Sequence, residues 1–364
     1  MYGRNDTKER GGSLDRRADP GLAALGWDEG WACALADLSD PTLLPARVSR
    51  VDRGVCSVMT GTAVVRAVAE RRTEVAVGDW VAIGPEPTTG DRPPIVAVLP
   101  RRCVFRRAAD TRGHGQQIVA ANIDTLLLCD ALDGRLSLRH LERYLALAWQ
   151  SGATPVVLIT KSDTASAETV AKRIAAVKSV ADGVSVVVVS STTGHGVEGL
   201  APYLVPGRTV ALLGLSGAGK STLVNLLAGA DLLATGAVRS DGKGRHTTTH
   251  RELVVLPGGG LLIDTPGMRA LSVVGAAEGV ERAFQDLEEL ARDCEYADCG
   301  HAGERGCALT AALSDGRLEP GRLESWLRLR AEPHSSDYEV ARRVVADRKR
   351  RKATKTADRR TARP

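Results

Sequence analysis

Between Ala46 and about Pro100 the chain alternates apolar and polar residues in short stretches, ARVSRVDRGVCSVMT, TAVVRAVAERR, VAVGDWVAIG and PPIVAVLP, broken by Gly, Pro and Asp. Period-two alternation with such punctuation predicts a small antiparallel barrel. After a basic connector, RRCVFRRAADTRGHG, the pattern changes. IDTLLLCD, TPVVLIT, GVSVVVVS and RTVALLG are nearly continuous apolar runs, while LRHLERYLALAWQSG and TASAETVAKRIAAVKSV repeat apolar residues at helical spacing. Buried runs alternating with helices predict a parallel α/β sheet. ELVVLPGGGLLIDTPG closes that region as a hairpin-like pair of strands, and beyond about residue 276 the pattern is helical and cysteine-bearing. The chain therefore reads as multidomain: an extension over 1–45 with one short helix around Trp27 to Leu38, a barrel over 46–104, an α/β domain over 115–275, a cysteine module over 276–335 and a basic helix and tail over 336–364.

At 364 residues and 43% hydrophobic content there is ample material for cores of normal size. The longest apolar runs fall far short of the roughly 20 residues a membrane helix needs, and the mixed-charge start has the texture of neither a signal nor a transit peptide. No membrane association is expected, and the cytoplasm is the expected compartment. Three of the seven cysteines cluster and four are scattered, which argues for reduced thiols and one metal site over a disulfide framework. Charge is unevenly placed: Ala341 to Pro364 carries eleven Arg or Lys against two Asp, while the net charge of the whole chain is only +5. A polyanion is the expected partner of that tail. The cysteine module is acidic instead, with seven basic and thirteen acidic residues from Ala276 to Ser335.

GLSGAGKST, from Gly214 through Leu215, Ser216, Gly217, Ala218, Gly219, Lys220 and Ser221 to Thr222, satisfies G-x-x-x-x-G-K-S between an apolar run and a helical pattern. The glycines let backbone amides curl around phosphates, Lys220 can reach the β and γ oxygens, and Ser221 can ligand magnesium. The loop alone leaves ATP and GTP open. LLIDTPG places Asp264 at a strand end, where it can orient magnesium through water, and Gly267 where its amide can meet a γ-phosphate. Between these motifs lies GRHTTTHREL, whose threonines offer a hydroxyl to magnesium, Thr248 being the preferred candidate; by itself the run reads sooner as a solvated polar loop, and its place between the two phosphate motifs reverses that preference.

Two further loops precede the phosphate loop. Thr160, Lys161, Ser162 and Asp163 end the run TPVVLIT, and Ser190 and Ser191 end GVSVVVVS. A carboxylate at Asp163 accepts from guanine N1 and N2, donors that adenine lacks, so it selects the base. All the parts of a guanine-nucleotide site are present in rotated order. Rotation is permissible, because such sites are built by loops at the carboxyl ends of several strands whatever their order in the chain. Cys294, Cys299, His301 and Cys307 supply four soft ligands within fourteen residues, suited to structural tetrahedral zinc.

From Ala46 to about Arg330 the chain resembles the RsgA (YjeQ) family of circularly permuted GTPases, on the barrel, QQIVAANID, TKSD, GLSGAGKST, GRHTTTHREL, DTPG and the C-x4-C-x-H-x5-C cluster in that order. The resemblance implies an OB-fold barrel, a permuted P-loop GTPase domain and a zinc-binding module. It also implies hydrolysis of GTP to GDP and phosphate with Mg2+, one structural Zn2+, and ribosome-stimulated action in late maturation of the small ribosomal subunit, whose rRNA and GTP or GDP would be the partners of a monomer. The family's switch histidine falls on His246, which from the residues alone reads as either a solvated side chain or a catalytic one. Met268 stands where many GTPases position water with Gln. Thr160 replaces the usual Asn, which predicts a weaker guanine contact and a weaker brace to the phosphate loop, and Ser191 replaces the usual Ala.

The barrel's obvious stacking aromatic is Trp80, so RNA contact is expected through Arg101, Arg102, Arg106 and Arg107 and through the tail. The DTPG stretch, switch II of such GTPases, leads into the cysteine module, so loss of a γ-phosphate at Gly267 is expected to pull on it. An ATPase or small-molecule kinase would account for the phosphate loop but not for Asp163. A GTPase or ATPase serving a different RNA or translation step would share most of these motifs, and a non-catalytic RNA-binding module would need the nucleotide site to be idle.

Overall fold

The computed structural model describes residues 20–331 apart from 53, 71–72, 86–91, 109–115, 134–135, 230–250 and 265–276. Strands β1 (Leu44–Asp52), β2 (Val55–Met59), β3 (Val64–Ala69), β4 (Trp80–Ile83) and β5 (Pro94–Val98) follow the order β1-β2-β3-β5-β4, and β4 pairs back on β1 to close a five-stranded barrel. Alternation drives the closure: in β2, Cys56 and Val58 turn inward onto Ala46, Val48, Ala67, Val81, Ile83 and Ile95. The connector is itself structured. β6 (Val104–Ala108) and β7 (Gln116–Ala121) pair antiparallel as a separate ribbon, a hairpin that the basic residues conceal in the sequence.

The α/β region contains β8 (Thr125–Ala131), β9 (Thr154–Thr160), β10 (Ser185–Val188), β11 (Thr209–Gly214), β12 (Glu252–Val255) and β13 (Leu261–Asp264), in the spatial order β10-β9-β8-β11-β13-β12. The first five strands of that order are mutually parallel and β12 runs antiparallel to β13. Because β9, β10, β11 and β13 point the same way, their carboxyl ends, and hence the two base loops, the phosphate loop and Asp264, fall on one edge of the sheet. Among the described residues one register pair, Arg50 opposite Glu252, carries the barrel onto this sheet through β1 and β12.

Two short helices, α1 (Pro20–Ala24) and α2 (Glu29–Ala36), stand in the extension. Leu22, Leu25, Trp27 and Trp31 are buried, and Trp27 meets Trp80 edge-on at 4.8 Å between ring centroids. Trp80 is 1% exposed, which removes it as a stacking platform for RNA bases.

Helix α3 (Leu138–Ser151) begins where the Ser137 side chain accepts from the His140 amide, and ends at Gly152 with φ +89°. Its far side receives the C-terminal helices: α6 (Ala277–Ala283) and α9 (Pro320–Ala331) pack on it, with α7 (Gln285–Ala291) and α8 (Ala308–Ser314) beyond them. Arg322 of α9 pins the module down: it donates to Glu142 of α3 at 2.9 Å and twice to Asp286 of α7 at 2.9 and 2.6 Å. Burial pushes the Glu142 carboxyl up, and the Arg322 charge opposes that shift. Arg282 adds a guanidinium 3.7 Å from the Trp149 ring centroid. Among the described residues no helix is long and apolar enough to cross a membrane.

Candidate functional site

The phosphate loop runs from β11 into α5 (Lys220–Ala228), which follows α4 (Ala167–Lys178) among the α/β helices. Gly217 and Gly219 adopt φ of +76° and +79°, a conformation that costs a residue with Cβ far more. Gly214 is needed for a different reason: a Cβ there would stand 2.6 Å from the Cys129 carbonyl oxygen on neighbouring β8. The Lys220 ammonium donates to the Gly214 and Leu215 carbonyls at 2.8 and 2.7 Å, so its charge is held over the mouth of the loop. Ser221 follows at the amino end of α5 and is half-buried. β13 pairs alongside β11, with Ala211 opposite Ile263, which sets Asp264 beside the strand that feeds the loop.

The base loops converge on the same edge. Thr160, 1% exposed, donates its hydroxyl to the Ala218 carbonyl at 2.9 Å. Residue 160 therefore ties the base loop to the phosphate loop although it is not Asn. Replacing it with Val leaves the Ala218 carbonyl without that donor, a loss of about 1 kcal/mol. Calorimetric titration is expected to show GDP binding roughly 5-fold weaker in Thr160→Val, as that energy implies.

Lys161 takes the left-handed region at φ +59° and opens a 3-10 turn over Ser162–Thr164. Asp163 is exposed at that turn, and one of its oxygens accepts from the Ser190 hydroxyl at 2.5 Å, while the same hydroxyl oxygen accepts from the Thr193 amide. Ser190 thereby joins the two base loops and fixes the carboxylate, leaving Ser191 half-buried beside it. Motif reasoning misses Asp133, whose carboxylate pairs with Lys161 at 3.3 Å. The available signal is an acid just past the end of β8, on the edge where the other motifs lie. His246, Thr248 and Gly267 lie outside the described residues.

Cys294, Cys299, His301 and Cys307 come together between α7 and α8, with one ligand atom from each and all within 4.8 Å of one another. His301 Nδ1 is 3.6 Å from the Cys294 sulfur and 3.8 Å from that of Cys307. Four ligands bound at about 2.0 to 2.3 Å in a tetrahedron stand at such separations, so the donor set and its spacing fit a closed site. Burial pushes the Cys307 thiol up, but hydrogen bonds from Thr310, His301 and Cys299 outweigh it and bring it to about 6. All seven cysteines are free, as reduced thiols should be.

The arginines expected to meet RNA divide. Arg101 is engaged within the fold, donating twice to buried Asp79 at 2.7 Å and once to the Glu74 carbonyl. Arg102 forms a two-bond pair with Asp28 at 2.6 and 2.7 Å and lies over the Trp31 ring. Their charges are matched by acids, a partnership that distance along the chain hides. Arg106 and Arg107 sit on β6.

A closed barrel, a permuted sheet with the phosphate and base loops on one edge, and a four-ligand cluster behind it define a circularly permuted GTPase. The RsgA GTPase family model matches residues 98–274. The chain is 45% identical to the small ribosomal subunit biogenesis GTPase RsgA of Streptomyces coelicolor, with 85% of this chain and 86% of that one aligned. The protein of the same name from Opitutus terrae is 43% identical, over 85% and 89% of the two chains. This chain belongs to the RsgA GTPase family and is a GTP-hydrolysing enzyme. The fold is shared with the crystal structure of YjeQ from Thermotoga maritima (TM-score 0.59, 23% identity, 79% of this chain and 97% of that one). It is shared also with YloQ, a circularly permuted GTPase (TM-score 0.57, 21% identity, 79% and 93% covered).

Proposed function

We propose that this GTPase binds the small ribosomal subunit and assists its late maturation, coupling GTP hydrolysis to that encounter. The observation that carries the guanine reading is the joined pair of base loops, in which Ser190 holds Asp163 and Thr160 holds the phosphate loop. The family relatives named above lend the subunit.

Gly214, Leu215, Ser216, Gly217, Ala218, Gly219 and Thr222 wrap the phosphates with backbone amides, and Lys220 answers their charge. Asp163 accepts from the guanine edge, with Lys161 and Ser162 beneath the base and Ser191 presenting its backbone. Ser221 and Thr248 would hold magnesium and Asp264 would orient it through water; bound with GTP, the ion would neutralise charge on the β and γ oxygens. Gly267 meets the γ-phosphate. His246 orients the attacking water, a role that Met268 cannot fill. Cys294, Cys299, His301 and Cys307 hold one zinc ion that staples the module together. The cytoplasm, where ribosomes mature, is the compartment of action.

On this reading turnover is slow until the ribosome orders the GRHTTTHREL stretch, switch I, a contribution of up to about 10⁵-fold in GTPases activated in trans. With saturating small subunits, His246→Ala is expected to lose most of the stimulated turnover while keeping GTP affinity, measured by phosphate release and by nucleotide titration. Unchanged stimulated turnover in that variant contradicts the role of His246.

A further inference from the structure

Opposite the nucleotide edge, where β8, β9 and β11 begin, the structure contains a cleft of about 480 Å³. Ligand pockets of proteins commonly span about 300 to 1,000 Å³. Three parts of the chain wall it: Trp27, Asp28 and Trp31 from the extension, Arg47 and Trp80 from the barrel, and Arg102, Asp124 and Arg208 from the α/β region and its approach. The three arginines and two aspartates of this wall leave one net positive charge.

The donors outnumber the acceptors. Arg47 is 2% exposed and gives its terminal nitrogens to the Leu25 and Asn122 carbonyls and the Thr209 hydroxyl, yet its Nε is buried with no partner among the described residues. The indole nitrogen of Trp27 is likewise buried without an acceptor among them. The Arg208 side chain is 63% exposed and meets Asp124 through one terminal nitrogen at 3.1 Å, its other guanidinium nitrogens forming no bond among the described residues. Asp124 is occupied as well by the Thr209 amide at 2.7 Å, and Asp28 by Arg102. Neither buried nitrogen opens into the cleft, so the donor that can meet a ligand there is the Arg208 guanidinium. An exposed guanidinium held at one corner by an acid keeps a second edge for an oxyanion.

We propose that this cleft is a second ligand site, distinct from the GTP site, that takes a compact phosphate-bearing polar molecule with its phosphate on Arg208. Such a ligand touches all three walls at once. It would therefore stiffen the joint between extension, barrel and α/β sheet without approaching the phosphate loop.

The test uses the full chain saturated with GDP and magnesium, so that the nucleotide site does not respond. Three of the five tryptophans line the cleft, and their fluorescence is the readout. Ribose 5-phosphate is titrated as probe, with inorganic phosphate and a short single-stranded RNA in parallel arms. A saturable change is expected with ribose 5-phosphate, weakened about 10-fold or more in Arg208→Ala, the loss of one charge-assisted contact. Arg317→Ala, an exposed arginine elsewhere, should titrate like the unsubstituted chain. Saturation by RNA alone, if sensitive to Arg208, identifies the phosphate source as a nucleic-acid backbone and overturns the small-molecule ligand. No saturable change with any probe, or equal titration in Arg208→Ala, overturns the site itself.

Discussion

Replacing Lys220 with Ala is expected to reduce the kcat/KM of GTP hydrolysis by about 10² to 10³, the usual loss when one preorganised group that stabilises transition-state charge is removed. The geometry favours the upper part of that range. Lys220 starts α5, and its ammonium is already held by the Gly214 and Leu215 carbonyls at the loop's mouth, so little reorganisation separates that position from phosphate oxygens. The loop itself is shaped by glycine conformations and by the Thr160 contact to Ala218, neither of which depends on the lysine. Circular dichroism and melting should therefore stay close to the unsubstituted chain while phosphate release collapses. A variant that retains a third or more of the activity would remove Lys220 from the catalytic machinery.

The second large effect concerns the cysteine cluster. With zinc in the cluster as proposed, Cys307→Ser, or prolonged exposure to a strong chelator, is expected to remove one metal ion per chain and unfold the segment around α7 and α8. Zinc binding to such closed sites is worth about 10 to 16 kcal/mol at neutral pH in small domains. That exceeds what this module can recover from packing, since α7 and α8 have seven residues each. The damage should stop at α3, because Arg322 ties α9 to Glu142 of α3 independently of the metal. Elemental analysis combined with hydrogen exchange checks both parts: metal content falls from one to none, and protection is lost over 285–314 but kept in β8 and β11. Full protection after the metal is gone would show that it is not structural.

Much of this architecture is legible because local pattern and tertiary environment agree. The change from alternation to continuous apolar runs marks the passage from barrel to parallel sheet, and strand, glycine loop and helix stand in register around Lys220. The metal cluster is readable because its ligands are close in sequence. What escapes depends on contacts between distant residues. Thr160 reads as a weakness, since nothing near it announces a carbonyl 58 residues away. Arg101 reads as free because its partner Asp79 is 22 residues earlier and wholly buried. Trp80 reads as the barrel's one candidate for base stacking, too little to support that mode, and Trp27 and Trp31, from a stretch with no evident chemistry, cover it. The ribbon of β6 and β7 is hidden by arginines on a strand whose inward residue, Phe105, is fully buried.

The central claim is that this chain is a GTPase whose turnover is set by the small ribosomal subunit. Phosphate release from GTP, measured with the full chain alone, with purified small subunits and with purified large subunits, tests it most directly. Slow turnover alone, a rise of at least about 10-fold with small subunits, within the range seen for GTPases activated in trans, and little response to large subunits is the predicted result. Turnover that is unaffected by small subunits, or raised equally by both, would contradict it.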